Sequence, residues 1–487
     1  MLAGFVCISA ALAVAGWRIA IGNPVQARTN LLLNSLPLPN AIIAANNSPE
    51  LVRNPRRAGN VVLVHRIDRP TFSAAVQWSA DAGGSWHETA LPLPAGKDRP
   101  YGPDAAFAPD GTLYVVYANL VGVGNVPQSL WVSTSRDGGR SFSAPVHVSG
   151  LNSYQARIAV DHSGTVFITW MQARDVGLYR IVALPSPIVE VHSRDGARTF
   201  SAPVVVSDAQ RERVGVATPV IDSRGDLVVL YEDFKKDVRD FEDLDGPAWD
   251  QPFALVLTRS SDGGRSFFPG REVDSSIIPA HRFLVFLPEF PSISAGFGGK
   301  LYVAWSDARN GDEDVFLSAS SDAGRTWSGP VRVNDNRIGD RTAQYLPTVE
   351  AAPDGRIDVV FLDRRNDPRN VMTDTYLATS YDGGRSFANN RISTNSFSSL
   401  VGPVANAHLP VDFGSRLGLL SSDDGALSAW TDTRSGSVDT GRQEVAVAQV
   451  NIHHISWMTQ WPAVLALLAL GVVAITTAPR SALTDRK

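Results

Sequence analysis

One eight-residue pattern, Ser-x-Asp-x-Gly-x-x-aromatic, returns along the chain at a near-constant interval and limits what the chain can fold into. It occurs at Ser79-Asp81-Gly83-Trp86, Ser135-Asp137-Gly139-Phe142, Ser260-Asp262-Gly264-Phe267, Ser320-Asp322-Gly324-Trp327 and Ser380-Asp382-Gly384-Phe387. A sixth copy, Ser193-Asp195-Ala197-Phe200, has Ala in place of the glycine. Serine-to-serine spacings are 56, 58, 67, 60 and 60 residues, the signature of one supersecondary unit stacked many times. Each copy follows an alternating run such as Ser129–Ser135 or Asp314–Ser320, the period-two signal of a strand. Asp and Ser side chains bond backbone N–H groups two residues on, and Gly permits positive φ, so the motif closes a hairpin. Asp81, Asp137, Asp195, Asp262, Asp322 and Asp382 are read as structural on that ground.

About 25 residues upstream of most copies lies a second hairpin, as in Ala108-Pro-Asp-Gly-Thr-Leu-Tyr-Val-Val-Tyr117 and Asp161-His-Ser-Gly-Thr-Val-Phe-Ile-Thr-Trp170. Each unit is then four antiparallel strands in about 60 residues, which predicts a β-propeller blade. A seventh unit, with Asp423–Trp430 and Gln443–Val450, supplies three strands and no final hairpin. The segment around Thr29 to Ile43 is expected to add its outer strand. The fold class is all-β, a propeller of seven four-stranded blades, with six the alternative.

The rest of the composition narrows the function. Net charge is −5 with no long basic run, so nucleic acid is not expected as a partner. The single cysteine, Cys7, excludes an intramolecular disulfide, Cys-ligated zinc and a Cys–His pair. No Gly-rich phosphate cradle, His-Glu-x-x-His or Gly-x-Ser-x-Gly is present, and neither a cofactor nor a metal is expected. Asp307, Asn310, Asp312 and Asp314 cluster as hard oxygen ligands but match no EF-hand spacing. Residues 1–27 read as a signal peptide or an N-terminal anchor. From Trp461 through Thr477 the chain is uncharged, and residues 456–479 are expected to cross a membrane, with Trp457 and Trp461 at one interface. Arg480, Arg486 and Lys487 in the tail 480–487 place that end in the cytoplasm by the positive-inside rule. The propeller, 28–452, would then be extracytoplasmic.

These turns resemble the Asp-box, or BNR, repeats of the sialidase-like propellers, over roughly residues 48–450. Tyr302-Val-Ala-Trp-Ser-Asp-Ala-Arg309 and Phe361-Leu-Asp-Arg-Arg-Asn-Asp367 are most similar to bacterial, membrane-anchored sialidase-like proteins. The resemblance implies the propeller fold. Its function is less specific, because such turns also occur in sortilin-type receptors and a photosystem assembly factor.

Strands alternate direction, so both short turns of a blade share one face, and the long connections share the other. At the loop-face end of several second strands an aromatic-x-acid-x-base pattern recurs: Trp305-Asp307-Arg309, Phe361-Asp363-Arg365 and Trp430-Asp432-Arg434. Weaker copies are Tyr231-Asp233-Lys235 and Trp170-Gln172-Arg174. One reading is a set of Asp–Arg pairs tying blade to blade. The other is a glycan pocket. In sialidases three arginines grip a sugar carboxylate, a Tyr–Glu pair supplies the nucleophile and an Asp is the acid. The resemblance implies a clamp of Arg309, Arg365 and Arg434 with Arg174 in reserve, Tyr345 (or Tyr101 or Tyr154) with Glu289, and Asp68 or Asp104 as the acid. Asp307, Asp363, Asp432, Trp305 and Trp430 would line the same pocket. The expected activity is glycan binding with exo-glycosidase chemistry. A non-catalytic propeller engaging an envelope protein is the alternative.

Overall fold

The computed structural model describes residues 25–34, 45–69, 71–122, 126–174, 183–235, 252–279, 289–402 and 413–452. The proposed membrane span 456–479, the tail 480–487 and residues 1–24 of the proposed leader lie outside them. Among the described residues no helix is long and apolar enough to cross a membrane. The chain divides into the compact unit Ala27–Gln449 and a second unit of its two terminal segments.

Seven antiparallel sheets follow one another along the sequence. Blade 1 runs Ala45–Arg53, Val61–Arg69, Ser73–Ser79 and His87–Thr89, in that order from the inside outward. Blades 2 to 6 repeat the order, with innermost strands Pro100–Phe107, Ser153–Val160, Val214–Ile221, Ser292–Ala295 and Gln344–Ala351. Blade 7 has Gly418–Ser422, Gly425–Asp432 and Glu444–Ile452. Residues from the innermost strands of all seven blades line one cavity, so the sheets surround a shared axis. The seven-bladed reading holds. The closing strand starts earlier than expected: Val25–Ala27 and Leu31–Leu32 lie on the edge of Glu444–Ile452, with Leu31 opposite Val447. Residues 35–44 of the expected segment lie outside the described ones.

The six turns are built alike. Ser79 Oγ donates to Asp81 Oδ1 at 2.7 Å and accepts the Gly83 amide at 2.8 Å. Asp81 in turn accepts the amide and hydroxyl of Ser85, each at 2.8 Å. The reach is thus four residues as well as the expected two. The Ser79 hydroxyl and the Ser85 amide hold Asp81 down to about 2, and the Thr326 hydroxyl and amide do the same for Asp322. Asp195 keeps the arrangement with Thr199 although Ala197 replaces the glycine.

The glycine matters because the turn lies on the preceding blade. A Cβ on Gly324 would stand 2.7 Å from Leu257 Cδ2, and one on Gly384 2.7 Å from Leu317 Cδ2. Ala197 instead shares its apolar cluster with the smaller Val132, which has the equivalent register. In blade 3 the same position is Glu190, opposite Thr169, where blades 4 and 5 have Leu257 and Leu317. Glu190 is fully buried under Gly264, and neither carboxylate oxygen has a hydrogen-bond partner among the described residues. His192 Nδ1 lies 3.5 Å away. Burial pushes this carboxyl up to about 8, with only the Arg194 charge opposing it.

Candidate functional site

The recurrent Asp–Arg pairs close on themselves at the seams between blades. Arg309 Nε lies 2.9 and 2.8 Å from the two oxygens of Asp307, and its Nη2 donates to Asp274 in the outer strand of blade 4 at 3.0 Å. Arg365 holds Asp363 at 2.7 Å and reaches Asp335 and Asn389. Arg434 holds Asp432 at 2.9 Å and reaches Asn30 and Thr394. In two of the three copies the aromatic completes the pair: Trp305 Nε1 donates to Asp307 at 2.9 Å and Trp430 Nε1 to Asp432 at 3.2 Å, while Phe361 has no donor to offer Asp363. In blade 4, Arg211 takes the role the sequence suggests for Lys235, pairing with Asp233. In blade 3, Trp170 bonds Gln172 and Arg174 is exposed. Each arginine sits in its own seam with partners the others do not touch, so the structure does not bring Arg309, Arg365 and Arg434 together.

Tyr345, Glu289 and Asp68 are likewise held by partners of their own. Tyr345 accepts a hydrogen bond from Arg364 Nη2 at 3.0 Å, under a guanidinium 4.8 Å from its ring centre. Glu289 accepts from Ser306 Oγ at 3.2 Å and stands beside Glu232. Burial and the Glu289 charge push Glu232 up to about 8. Asp68 is engaged by Arg66 at 2.9 Å and Asn47 at 2.8 Å. Among the described residues, no three His, Cys, Asp or Glu side chains gather as metal ligands.

What the structure does assemble is a mouth on the loop face, set by a repeated backbone irregularity. Five innermost strands slip register just after their first residues, at Asn47/Glu50, Tyr101/Asp104, Tyr154/Arg157, Gly215/Thr218 and Tyr345/Thr348. In each, one residue takes positive φ: Ser48 at 55°, Gly102 at 57°, Gln155 at 60°, Val216 at 49° and Leu346 at 57°. For β-branched Val216 that conformation is costly, and bulges of this kind re-aim the side chains that follow. Two residues on, Glu50, Asp104, Arg157, Thr218 and Thr348 line the central cavity, with Ser292 at the matching register of blade 5. Blade 7 has Gly418 at that register, and Arg416 reaches in from two residues earlier.

The ring is uneven. On one side Thr218 Oγ1 donates to Pro291 O at 3.2 Å, Ser292 Oγ accepts the Val349 amide at 3.0 Å and Thr348 Oγ1 donates to Leu417 O at 2.9 Å. Each bond joins one innermost strand to the next blade. On the other side four charges meet. Arg416 Nε is 2.9 Å from Glu50 Oε2, and its Nη2 is 3.5 Å from Asp104 Oδ1. Burial pushes the Glu50 carboxyl up, while Arg157 and Arg416 pull it back. Burial and the Arg157 charge bring Arg416 down to about 10.

Above this ring is a mouth cavity of about 70 Å³, with Arg66, Tyr101, Tyr154, Phe290, Ser415 and Arg416 in its wall. Through Phe290 and Arg416 it adjoins the channel cavity of about 240 Å³. Arg66 lies 5.4 Å from the Tyr101 ring centre and 3.4 Å from Ser415 Oγ. Of these groups, the sequence reading named Tyr101, Tyr154 and Asp104 and missed Arg66, Arg157, Arg416, Glu50 and Phe290. The signal that finds Glu50 and Arg157 is alignment of the innermost strands to one another, where their position changes from acid to base to hydroxyl; Arg66, Phe290 and Arg416 lie off that position.

No family model and no curated protein matches this chain. Solved structures are similar in fold. A protein of unknown function from Dyadobacter fermentans is 14% identical with a TM-score of 0.48, covering 88% of this chain and 99% of its own. An ulvan lyase of polysaccharide lyase family 25 is 11% identical with a TM-score of 0.48, covering 85% and 96%. The α-L-arabinofuranosidase of Fusarium graminearum is 14% identical with a TM-score of 0.45, covering 74% and 95%. At TM-scores below 0.5 these likenesses carry no argument about the site, which stands on the residues above.

Proposed function

We propose that the protein binds an acidic glycan end at the loop-face mouth. The reading rests on one observation: the guanidiniums of Arg66 and Arg416 border the same concavity as the rings of Tyr101, Tyr154 and Phe290. Aromatic faces with a polar rim suit the apolar faces of a sugar ring, and a planar guanidinium fork suits a carboxylate or sulfate. The test is binding of the full chain to a glycan array, followed by titration of the best ligand into wild type, Arg66→Gln and Tyr101→Ala. Loss of about tenfold or more in affinity is expected in Arg66→Gln, the worth of a charge-assisted hydrogen bond, and of several-fold in Tyr101→Ala, which removes a stacking face. An array that retains no glycan would remove the reading.

A non-catalytic module is the second reading, and the closed pairs favour it, because Arg309, Arg365, Arg434, Tyr345 and Asp68 are all engaged structurally. Release of a reporter from sialyl, glucuronyl and arabinofuranosyl substrates decides between binding alone and exo-glycosidase activity. We extend the proposal to placement: an exported propeller tethered through residues 456–479, engaging glycan or an envelope protein. Protease shaving of intact cells tests it, since a propeller on the inside would be spared.

A further inference from the structure

Below the mouth, the channel holds a guanidinium with more donors than its neighbours can accept. Arg157 is 9% exposed, and its Nε and Nη1 make no hydrogen bond among the described residues. Its acidic contacts are long: 3.4 Å from Nε to Asp104 Oδ2 and 3.5 Å from Nη2 to Glu50 Oε2. Both acids are shared. Glu50 Oε2 is closer to Arg416 Nε, at 2.9 Å, and Asp104 Oδ2 accepts the Ile158 amide at 2.8 Å. A buried donor left without an acceptor is rare in folded proteins and asks for an explanation.

The space beside Arg157 supplies one. The channel cavity of about 240 Å³ is far above the roughly 10–15 Å³ that one water needs. Its hydroxyl side is already spent on backbone groups of the next blades. What remains unmatched is a set of cationic donors: among the described residues Arg157 Nε and Nη1 lack acceptors because Glu50 is drawn to Arg416 and Asp104 to the Ile158 amide, and the third acid in the wall, Glu350, accepts the Ser421 amide. Two guanidiniums crowded at a cavity wall are relieved by an anion and aggravated by a cation.

We infer that the central channel is a binding site for a small oxyanion, seated on the outward donors of Arg157 with Arg416 beside it. Glu50 is its internal competitor, a carboxylate that holds the same two arginines when the site is empty. The site lies below the mouth, shares Arg416 with it and needs no glycan there.

The test is calorimetric titration of sodium sulfate into the full chain at constant ionic strength, with sodium acetate as the planar oxyanion and sodium chloride as the baseline. Saturable heat is expected with sulfate or acetate. Arg157→Lys, which keeps the charge but not the Nη donors, should weaken binding at least about tenfold, the worth of charge-assisted hydrogen bonds. Arg198→Gln, at an exposed turn position, should not change it. Unfolding midpoints against sulfate are followed for each variant, so a less stable one still reports its own sulfate dependence. Equal affinity in Arg157→Lys, or no saturable heat in wild type, overturns the inference.

Discussion

Glu190 offers the sharpest test of the packing described here, because blade 3 has a carboxyl where blades 4 and 5 have leucine. Its carboxyl moves from an ordinary 4.5 to about 8 in the folded chain. At about 1.4 kcal/mol per tenfold, that difference is about 5 kcal/mol. The sign follows from proton counting. Below pH 4.5 both folded and unfolded chains carry the proton, and nothing is lost. Between 4.5 and 8 the unfolded chain ionises while the folded one holds its proton, so stability falls as pH rises. Above 8 both are ionised and the full cost is present. Replacing Glu190 with Gln removes the titration but keeps the shape. The stability difference between Glu190→Gln and wild type should therefore grow by several kcal/mol between pH 5 and pH 8, then level off. Urea unfolding at half-unit pH steps measures it, and taking the difference cancels every other titrating group. Glu190→Leu, copying Leu257 and Leu317, should be more stable than either across the range. A Gln-minus-wild-type difference that stays flat from pH 5 to 9 would show that the carboxyl is solvated or paired, and the buried-acid argument would fail.

Other expectations are as direct. Arg309→Ala strands the fully buried Asp307 and should cost about 3–5 kcal/mol in unfolding experiments while leaving any glycan affinity at the mouth unchanged. Gly384→Ala should cost about 1–3 kcal/mol through its clash with Leu317 and its φ of 85°. Adding Leu317→Val should recover part of that cost, as Val132 accommodates Ala197, and a double-mutant cycle reads the coupling. Glu50→Gln should tighten sulfate binding in the channel by several-fold, because it removes the competing carboxylate 2.9 Å from Arg416; weaker binding would mean that Glu50 orients the arginines instead.

The fold was legible because its signal is local and repeated. Ser, Asp and Gly at fixed offsets specify a turn within eight residues, and six copies leave little freedom in how the strands between them pair. The site was not legible by the same route. Trp305-Asp307-Arg309 and its copies drew notice because they recur, yet a pattern present in several blades serves what all blades share, the seams. The mouth and channel depend on positions that differ from blade to blade, Glu50, Asp104, Arg157 and Thr218, and on ring closure, which brings Arg416 beside Glu50 across more than three hundred residues. Glu190 escaped for another reason. Alternation in Ile188-Val-Glu-Val-His-Ser193 suggests one wet face, whereas a strand stacked between two blades buries both.

The clasp between the two ends of the propeller has a consequence for how such a chain is made. Arg28 Nη1 meets Gln449 Oε1 across 421 residues of sequence, and Leu31–Leu32 pairs with the last strand of the ring. This early segment must therefore wait until the last strand of the ring has been translated. During that interval the edge awaiting it does not yet exist, and completion of the toroid becomes the final step of maturation rather than its beginning.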